Sequence, residues 1–293
     1  MCIRDRCRSN DPSHKLFDVI RGGGKVLESD DTSAEETNQE YGYLSAFNTN
    51  GFTLTQGTHG SFPMGNVNHS GRTYVAWCWK AGGSGVSNSD GTITSSVSAN
   101  TEAGFSVVTW TGSGADASIG HGLGKKPHVI FVKNRSAGDN WRVWWRNVTI
   151  GDEYALVLND TTGVYTGSDK WYNSPNGNDT TTTTFGVSND GSTNRSGESF
   201  VGYCWAEIPG YSKFGTYTGS GNATDGPFVH TGFRVGWLMT KRSSSARNWI
   251  IYDNKRGPHN EVDNFLEADT NNQEDSKDTV SYTHLTLPTI YSV

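Results

Sequence analysis

Ser196-Gly-Glu-Ser-Phe-Val-Gly-Tyr-Cys-Trp205 is a second edition of Ser70-Gly-Arg-Thr-Tyr-Val-Ala-Trp-Cys-Trp79, at an offset of 126 residues at both ends (196 − 70 and 205 − 79). Ser, Gly, Val, Cys and Trp recur in register, with an aromatic before each Val and another before each Cys. Side chains alternate between the two faces of a strand. In the first edition Tyr74, Ala76 and Cys78 share one face, and Val75, Trp77 and Trp79 the other. In the second, Phe200 and Cys204 oppose Tyr203 and Trp205. A strand apolar on both faces reads as central and buried between layers.

Working outward, other segments echo one another. Trp110 to Gly114 match Tyr217 to Gly221 at an offset of 107, and Lys133 with Asn140-Trp141 match Lys241 with Asn248-Trp249 at 108. Phe17-Asp18 followed by Arg21-Gly22 returns as Tyr252-Asp253 followed by Arg256-Gly257, at 235. Leu27-Glu28 with Asp30 returns as Leu266-Glu267 with Asp269. A period slightly over a hundred residues is too long for a solenoid rung and suits one sandwich of short strands. The expected fold is all-β: tandem antiparallel β-sandwich-like units, two of the three truncated. Residues 7–83 form the C-terminal part of unit 1 and 84–102 a Gly/Ser-rich linker or hairpin. Residues 103–211 form the complete unit 2, and 212–279 the N-terminal part of unit 3. Almost no linker separates units 2 and 3, so they are expected to abut stiffly.

The two ends read differently. Met1-Cys-Ile-Arg-Asp-Arg6 back-translates to a string whose reverse complement encodes Val-Ser-Tyr-Thr-His, which is Val280 to His284. An inverted repeat visible only at the nucleotide level is the mark of a sequencing-library adapter. Residues 1–6 and 280–293 are therefore expected to be adapter-derived rather than native, on a fragment open at both ends.

The chain has 293 residues, with 24 Lys and Arg against 30 Asp and Glu, a net charge of −6. Without Arg4, Asp5 and Arg6 the balance is 22 against 29, or −7. An acidic surface disfavours nucleic acid and anionic membranes as partners. Abundant aromatics with Gly, Ser, Thr and Asn suit short strands and tight turns. No apolar run approaches a membrane span. Cys78 and Cys204 occupy equivalent places in separate units, so they are expected to be buried thiols a domain's width apart, beyond the ~7 Å limit for a disulfide.

No string carries a catalytic signature. His121-Gly-Leu-Gly-Lys-Lys-Pro127 lacks the first glycine and the final Ser/Thr of a phosphate loop, and reads as a turn launching a strand over 127–133. The adjacent carboxylates Asp30-Asp31 and Asp152-Glu153 make no acid–base pair by spacing alone. No metal-ligand pattern and no cofactor motif is present. Trp141-Arg-Val-Trp-Trp-Arg146, as a strand, puts Trp141, Val143 and Trp145 toward a core and Arg142, Trp144 and Arg146 on the other face. That second face either stacks on a sugar ring or a partner, with Arg142, Trp144 and Arg146 as the candidate binding residues, or is covered by a neighbouring strand while the arginines snorkel.

Tyr74-Val-Ala-Trp-Cys-Trp-Lys-Ala-Gly-Gly83, Asp90-Gly-Thr-Ile-Thr-Ser-Ser-Val-Ser-Ala-Asn100, Gly120-His-Gly-Leu-Gly124, and Gly210-Tyr-Ser-Lys-Phe-Gly-Thr-Tyr-Thr-Gly-Ser-Gly221 with Asp225-Gly-Pro-Phe228 resemble a family known from marine bacteriophage genomes. Its members are large β-rich proteins with a repeated domain of unassigned function, described as virion- or tail-associated. The resemblance covers nearly all of 13–278 and brings no catalytic residues. It implies a structural or adhesive virion protein, in a tail or tail fibre, located on the extracellular particle. Its partners would be other virion proteins, further copies of itself and a host-surface glycan or protein. An adapter-bounded fragment fits a metagenomic source. The alternatives are a polysaccharide depolymerase or glycoside hydrolase on a sandwich, and a bacterial surface lectin. Repetition favours the readings without an active site, because scaffolds and avid binders profit from tandem copies.

Overall fold

The computed structural model describes residues 2–9, 13–37, 40–146, 154–166, 171, 173–174, 177–178, 180–222, 225–257 and 262–276. Residues 280–293, expected to be adapter-derived, lie outside them. The described chain is all-β, and every strand ladder in it is antiparallel.

A first meander runs β1 (Cys2–Cys7), β2 (Lys15–Asp18), β3 (Leu27–Glu28). All but the last residue of β1 belong to the segment expected to be adapter-derived. The hairpin β4 (Tyr43–Asn48) and β5 (Gly51–Thr55) leaves this sheet, and β6 (Tyr74–Trp79) returns to the far side of β1, giving the order β3-β2-β1-β6. Next come β7 (Val86–Asn88), β8 (Ser95–Asn100), β9 (Phe105–Thr111) and β10 (Ala117–Gly120). A second meander follows: β11 (Val129–Asn134), β12 (Arg142–Trp145), β13 (Tyr154–Val157) and β14 (Tyr165–Thr166). Then come β15 (Asn173–Ser174), β16 (Gly177–Asn178), β17 (Thr184–Val187), the helical turn α1 (Gly191–Asn194) and β18 (Ser199–Trp205). These build an eight-stranded sheet, β14-β13-β12-β11-β18-β9-β8-β7, with β10 and β17 paired as a separate ribbon. The third meander is β19 (Trp237–Thr240), β20 (Ile250–Asp253), β21 (Asn264–Glu267) and β22 (Asp275–Ser276), in that order.

The strand expected at 198–206 is β18, and it lies between β11 and β9 with the expected faces. Val201 and Tyr203 enter one core with Val107, Phe131 and Val143, while Phe200 and Cys204 enter a second with Val108, Ile130 and Trp144. The β10–β17 ribbon closes that second core with Ile119, Phe185 and Val187. Gly202 leaves little room beside these side chains, since a Cβ there would stand 3.2 Å from Trp110 and 3.5 Å from Phe185.

β6 departs from its expected place. Among the described residues it pairs with β1 alone, as an edge strand, and Ala76 and Cys78 are exposed. No strand of the β9 type flanks it and no ribbon covers it among the described residues. Cys204 is a buried thiol as expected, whereas Cys78 is not buried. Residues 84–102 take the hairpin option: β8 pairs with β9 and buries Val97, so they extend the large sheet rather than link separate bodies.

The three meanders share the first core. It joins Leu16 and Leu27 from the first, Phe131, Trp141 and Leu156 from the second, and Trp249, Ile251 and Leu266 from the third. The residue just before each middle strand reaches the last residue of the third strand in another meander. Trp141 Nε1 donates to Glu28 O at 2.7 Å, Trp249 Nε1 to Val157 O at 2.7 Å, and His14 Nε2 to Glu267 O at 2.6 Å. Second contacts first, third contacts second and first contacts third, which closes a cycle. A hydrogen bond of this kind contributes about 0.5–1.5 kcal/mol net.

Candidate functional site

Strand alternation puts Arg142 and Trp144 on one face of β12, with Arg146 just beyond it, but that face is covered. Trp144 is 1% exposed, packed in the core closed by the β10–β17 ribbon. It offers no ring to a ligand, so the stacking option for this face is overturned and the covered option holds. Arg142 Nε donates to Ser192 Oγ in α1 at 2.9 Å, and exposed Arg146 lies 3.5 Å from His128 Nε2. The three do not converge on one surface.

The loop at His121 is a turn that launches β11, as its sequence implied. Gly122 and Gly124 take φ of 68° and 65°. The imidazole is buried, accepts from Leu123 N at 3.2 Å on Nδ1, and sits 3.4 Å from Thr181 O on Nε2. Burial pushes its pKa down to about 4 despite the Thr181 contact, so it stays neutral near pH 7 and serves the turn.

The buried carboxylates are spoken for. Asp18, last in β2, accepts from Arg21 Nε, from the amides of Ile20 and Arg21, and from Tyr203 Oη at 2.8 Å. Arg21 also reaches Glu35, which is forked by Arg135 with two bonds of 2.8 Å. Asp253, last in β20, repeats this set with Arg256, Trp77 Nε1 at 3.1 Å, Glu274 and Arg8. Burial alone would raise the Asp18 carboxyl, but Arg21, the amides and Tyr203 outweigh it and hold it below the usual range. A carboxylate so stabilised is a poor proton donor near pH 7. Asp269, raised to about 6 chiefly by burial, and Asp30, also raised chiefly by burial, are the exceptions. Asp269 Oδ1 accepts from Trp249 N at 2.9 Å, as Asp30 accepts from His14 N and Asn159 from Trp141 N. An asparagine fills the same place, so the shared task is positioning the residue before each middle strand. Asp31 binds Thr32 and Ser33 beside it, and Asp152-Glu153 lies outside the described residues.

Among the described residues no group of three or more His, Cys, Asp or Glu could hold a metal ion, and no helix is long and apolar enough to cross a membrane. Two hollows of about 10 and 40 Å³, by Phe17 and by Leu238, have room for a few waters at most.

What the surface does present is a ladder of rings on the lobe carried by β4 and β5. Tyr41 stacks on His59 at 4.6 Å between centroids, His59 on Phe62 at 5.7 Å, and Phe62 on His69 at 6.0 Å, with interplanar angles of 23–28°. The backbone sets the rungs. His59 N donates to Glu40 O at 2.9 Å and Asn66 N to Tyr41 O at 3.1 Å, folding the 57–66 loop across Tyr41. Gly42 has φ of 91° and runs so close to the loop that a Cβ would stand 3.0 Å from Pro63 O. His59 Nδ1 accepts from the amides of Ser61 and Phe62 at 3.3 and 3.0 Å, which puts any neutral-ring proton on Nε2, 4.0 Å from Glu40. Phe62 remains 52% and Tyr41 40% exposed. The ladder offers ring edges, a phenol and imidazole nitrogens in one row: apolar contact beside hydrogen-bonding groups, the mix that amphipathic rings bring to interfaces. Its members, from Tyr41 to His69, are separated by 28 positions (69 − 41) without periodicity, so no sequence pattern announced them.

No curated protein and no solved structure matches this chain. A family model described as a domain of unknown function (DUF7483) matches residues 3–286 and so runs across all three meanders. The chain belongs to the DUF7483 family.

Proposed function

We propose that the chain is a structural and adhesive β module built from tandem copies of one meander-bearing unit, in which a rigid shared core carries a ring ladder that binds a host-surface glycan or protein. The single observation behind this reading is the exposed stack Tyr41–His59–Phe62–His69. Aromatic rings lose little entropy on binding and can lie against the apolar face of a sugar, while the phenol and imidazoles meet its hydroxyls. The cycle of contacts among the meanders supports the scaffold half, since it ties each copy to the other two. Placement in a phage particle, as a tail or tail-fibre component among other virion proteins and copies of itself, rests on the sequence resemblance. The net charge of −6 sits poorly with nucleic acid as a partner.

Glycan-array and cell-adsorption binding with Phe62→Ala and Tyr41→Ala tests it. Each variant should lose at least about tenfold in binding while keeping stability within about 1 kcal/mol of the parent, as a surface change should. Unchanged binding by both would sink the ladder. Release of reducing sugar from host polysaccharide would sink the non-enzymatic reading.

A further inference from the structure

We infer that the open edge of β19 accepts a strand of the β18 type, the strand that closes a unit of this repeat. The two other meanders show what that edge carries. β11 pairs with β18 in the register Val129↔Trp205, Ile130↔Cys204, Phe131↔Tyr203 and Val132↔Gly202. β1 pairs with β6 in the same register, Cys2↔Trp79, Ile3↔Cys78, Arg4↔Trp77 and Asp5↔Ala76. β19 holds the corresponding place in the third meander. It pairs with β20 as β11 pairs with β12, and Lys241 beyond it bonds Thr161 O at 2.7 Å as Lys133 bonds Thr32 O at 2.8 Å. Yet β19 ends its sheet, and among the described residues no strand lies on its far edge. Such an edge presents a row of main-chain donors and acceptors to any strand of matching register.

β18 is held between β11 and β9, and the echo of β9 in the third unit is the segment around Phe214 to Thr218. There Tyr217 is 53% exposed, whereas its counterpart Trp110 is 4% exposed and packed against Phe200 of β18. The geometry fixes the register: the incoming tryptophan opposite Trp237, its cysteine opposite Leu238, its second aromatic opposite Met239 and its small residue opposite Thr240.

The test uses the whole chain and a synthetic peptide of residues 196–206, with serine at the cysteine position. Saturable binding is expected, with slowed amide exchange over Trp237–Thr240 and over 214–218. A Gly202→Pro peptide should bind at least about tenfold more weakly, since proline removes a ladder donor. Three results would each overturn the inference: no binding up to about 1 mM, equal binding of the two peptides, or protection confined to the open edge of β6. The ring ladder lies on the first sheet's lobe, so none of these results bears on the adhesive reading.

Discussion

β6 and β18 share a sequence pattern and half an environment. On the inner face they behave alike. Trp77 and Tyr203 sit in the shared core, and each donates from its ring to the buried carboxylate of another meander, Asp253 for Trp77 and Asp18 for Tyr203. On the outer face they part. Phe200, Gly202 and Cys204 lie under the β10–β17 ribbon and beside β9, while Ala76 and Cys78 are exposed at a sheet edge. The pattern therefore specifies a strand that joins the central core. Whether its other face is buried depends on what the rest of the chain lays over it.

That division makes the outer face the place of largest expected difference. Gly202→Val should destabilise by about 2–3 kcal/mol, because a branched side chain would be driven into Trp110, itself stacked on Phe200 and edged against Phe185. Ala76→Val, which places valine at the equivalent position of the other edition, should stay within about 0.5 kcal/mol. Chemical denaturation of both variants checks this, and equal losses would break the comparison.

A smaller effect is expected where the two strands agree. Tyr203→Phe removes one of the donors that hold the Asp18 carboxyl low, and should cost about 1.5–2 kcal/mol at pH 7, the range for a hydrogen bond to a charged group. The sign follows from linkage. A carboxyl depressed on folding adds stability above its unfolded value near 4, and that stability is lost as pH falls through the lower folded value. The gap between parent and variant should therefore close toward pH 2, measured as urea midpoints across the acid range. Trp77→Phe should show the same trend through Asp253, whose carboxyl is also held low against its burial, by Arg256 and backbone amides. A gap that widens on acidification would count against both contacts.

The all-β class, the central place of β18 and the turn at His121 were legible because they rest on local rules: alternation, tight turns and an echo in register. The edge position of β6 was not, since an apolar strand looks the same whether or not a neighbour arrives. Trp144 shows the limit at one residue. Alternation put it opposite the first core, but only the ribbon formed by Ala117–Gly120 and Thr184–Val187 decides that it is covered. The sharing of one core by three meanders was hidden too. It is made by single bonds such as Trp141 to Glu28, 113 residues apart, for which sequence has no period. The ring ladder had no signal at all.

The most direct test of the difference between the two strands is thiol labelling mapped by mass spectrometry. The native protein is exposed briefly to N-ethylmaleimide, quenched and digested. The account predicts modification at Cys78 in the native state, with Cys204 reacting only after unfolding, because Cys204 is fully buried and its burial pushes the thiol pKa up. Labelling of Cys204 as fast as Cys78, or protection of both until the protein unfolds, would contradict it.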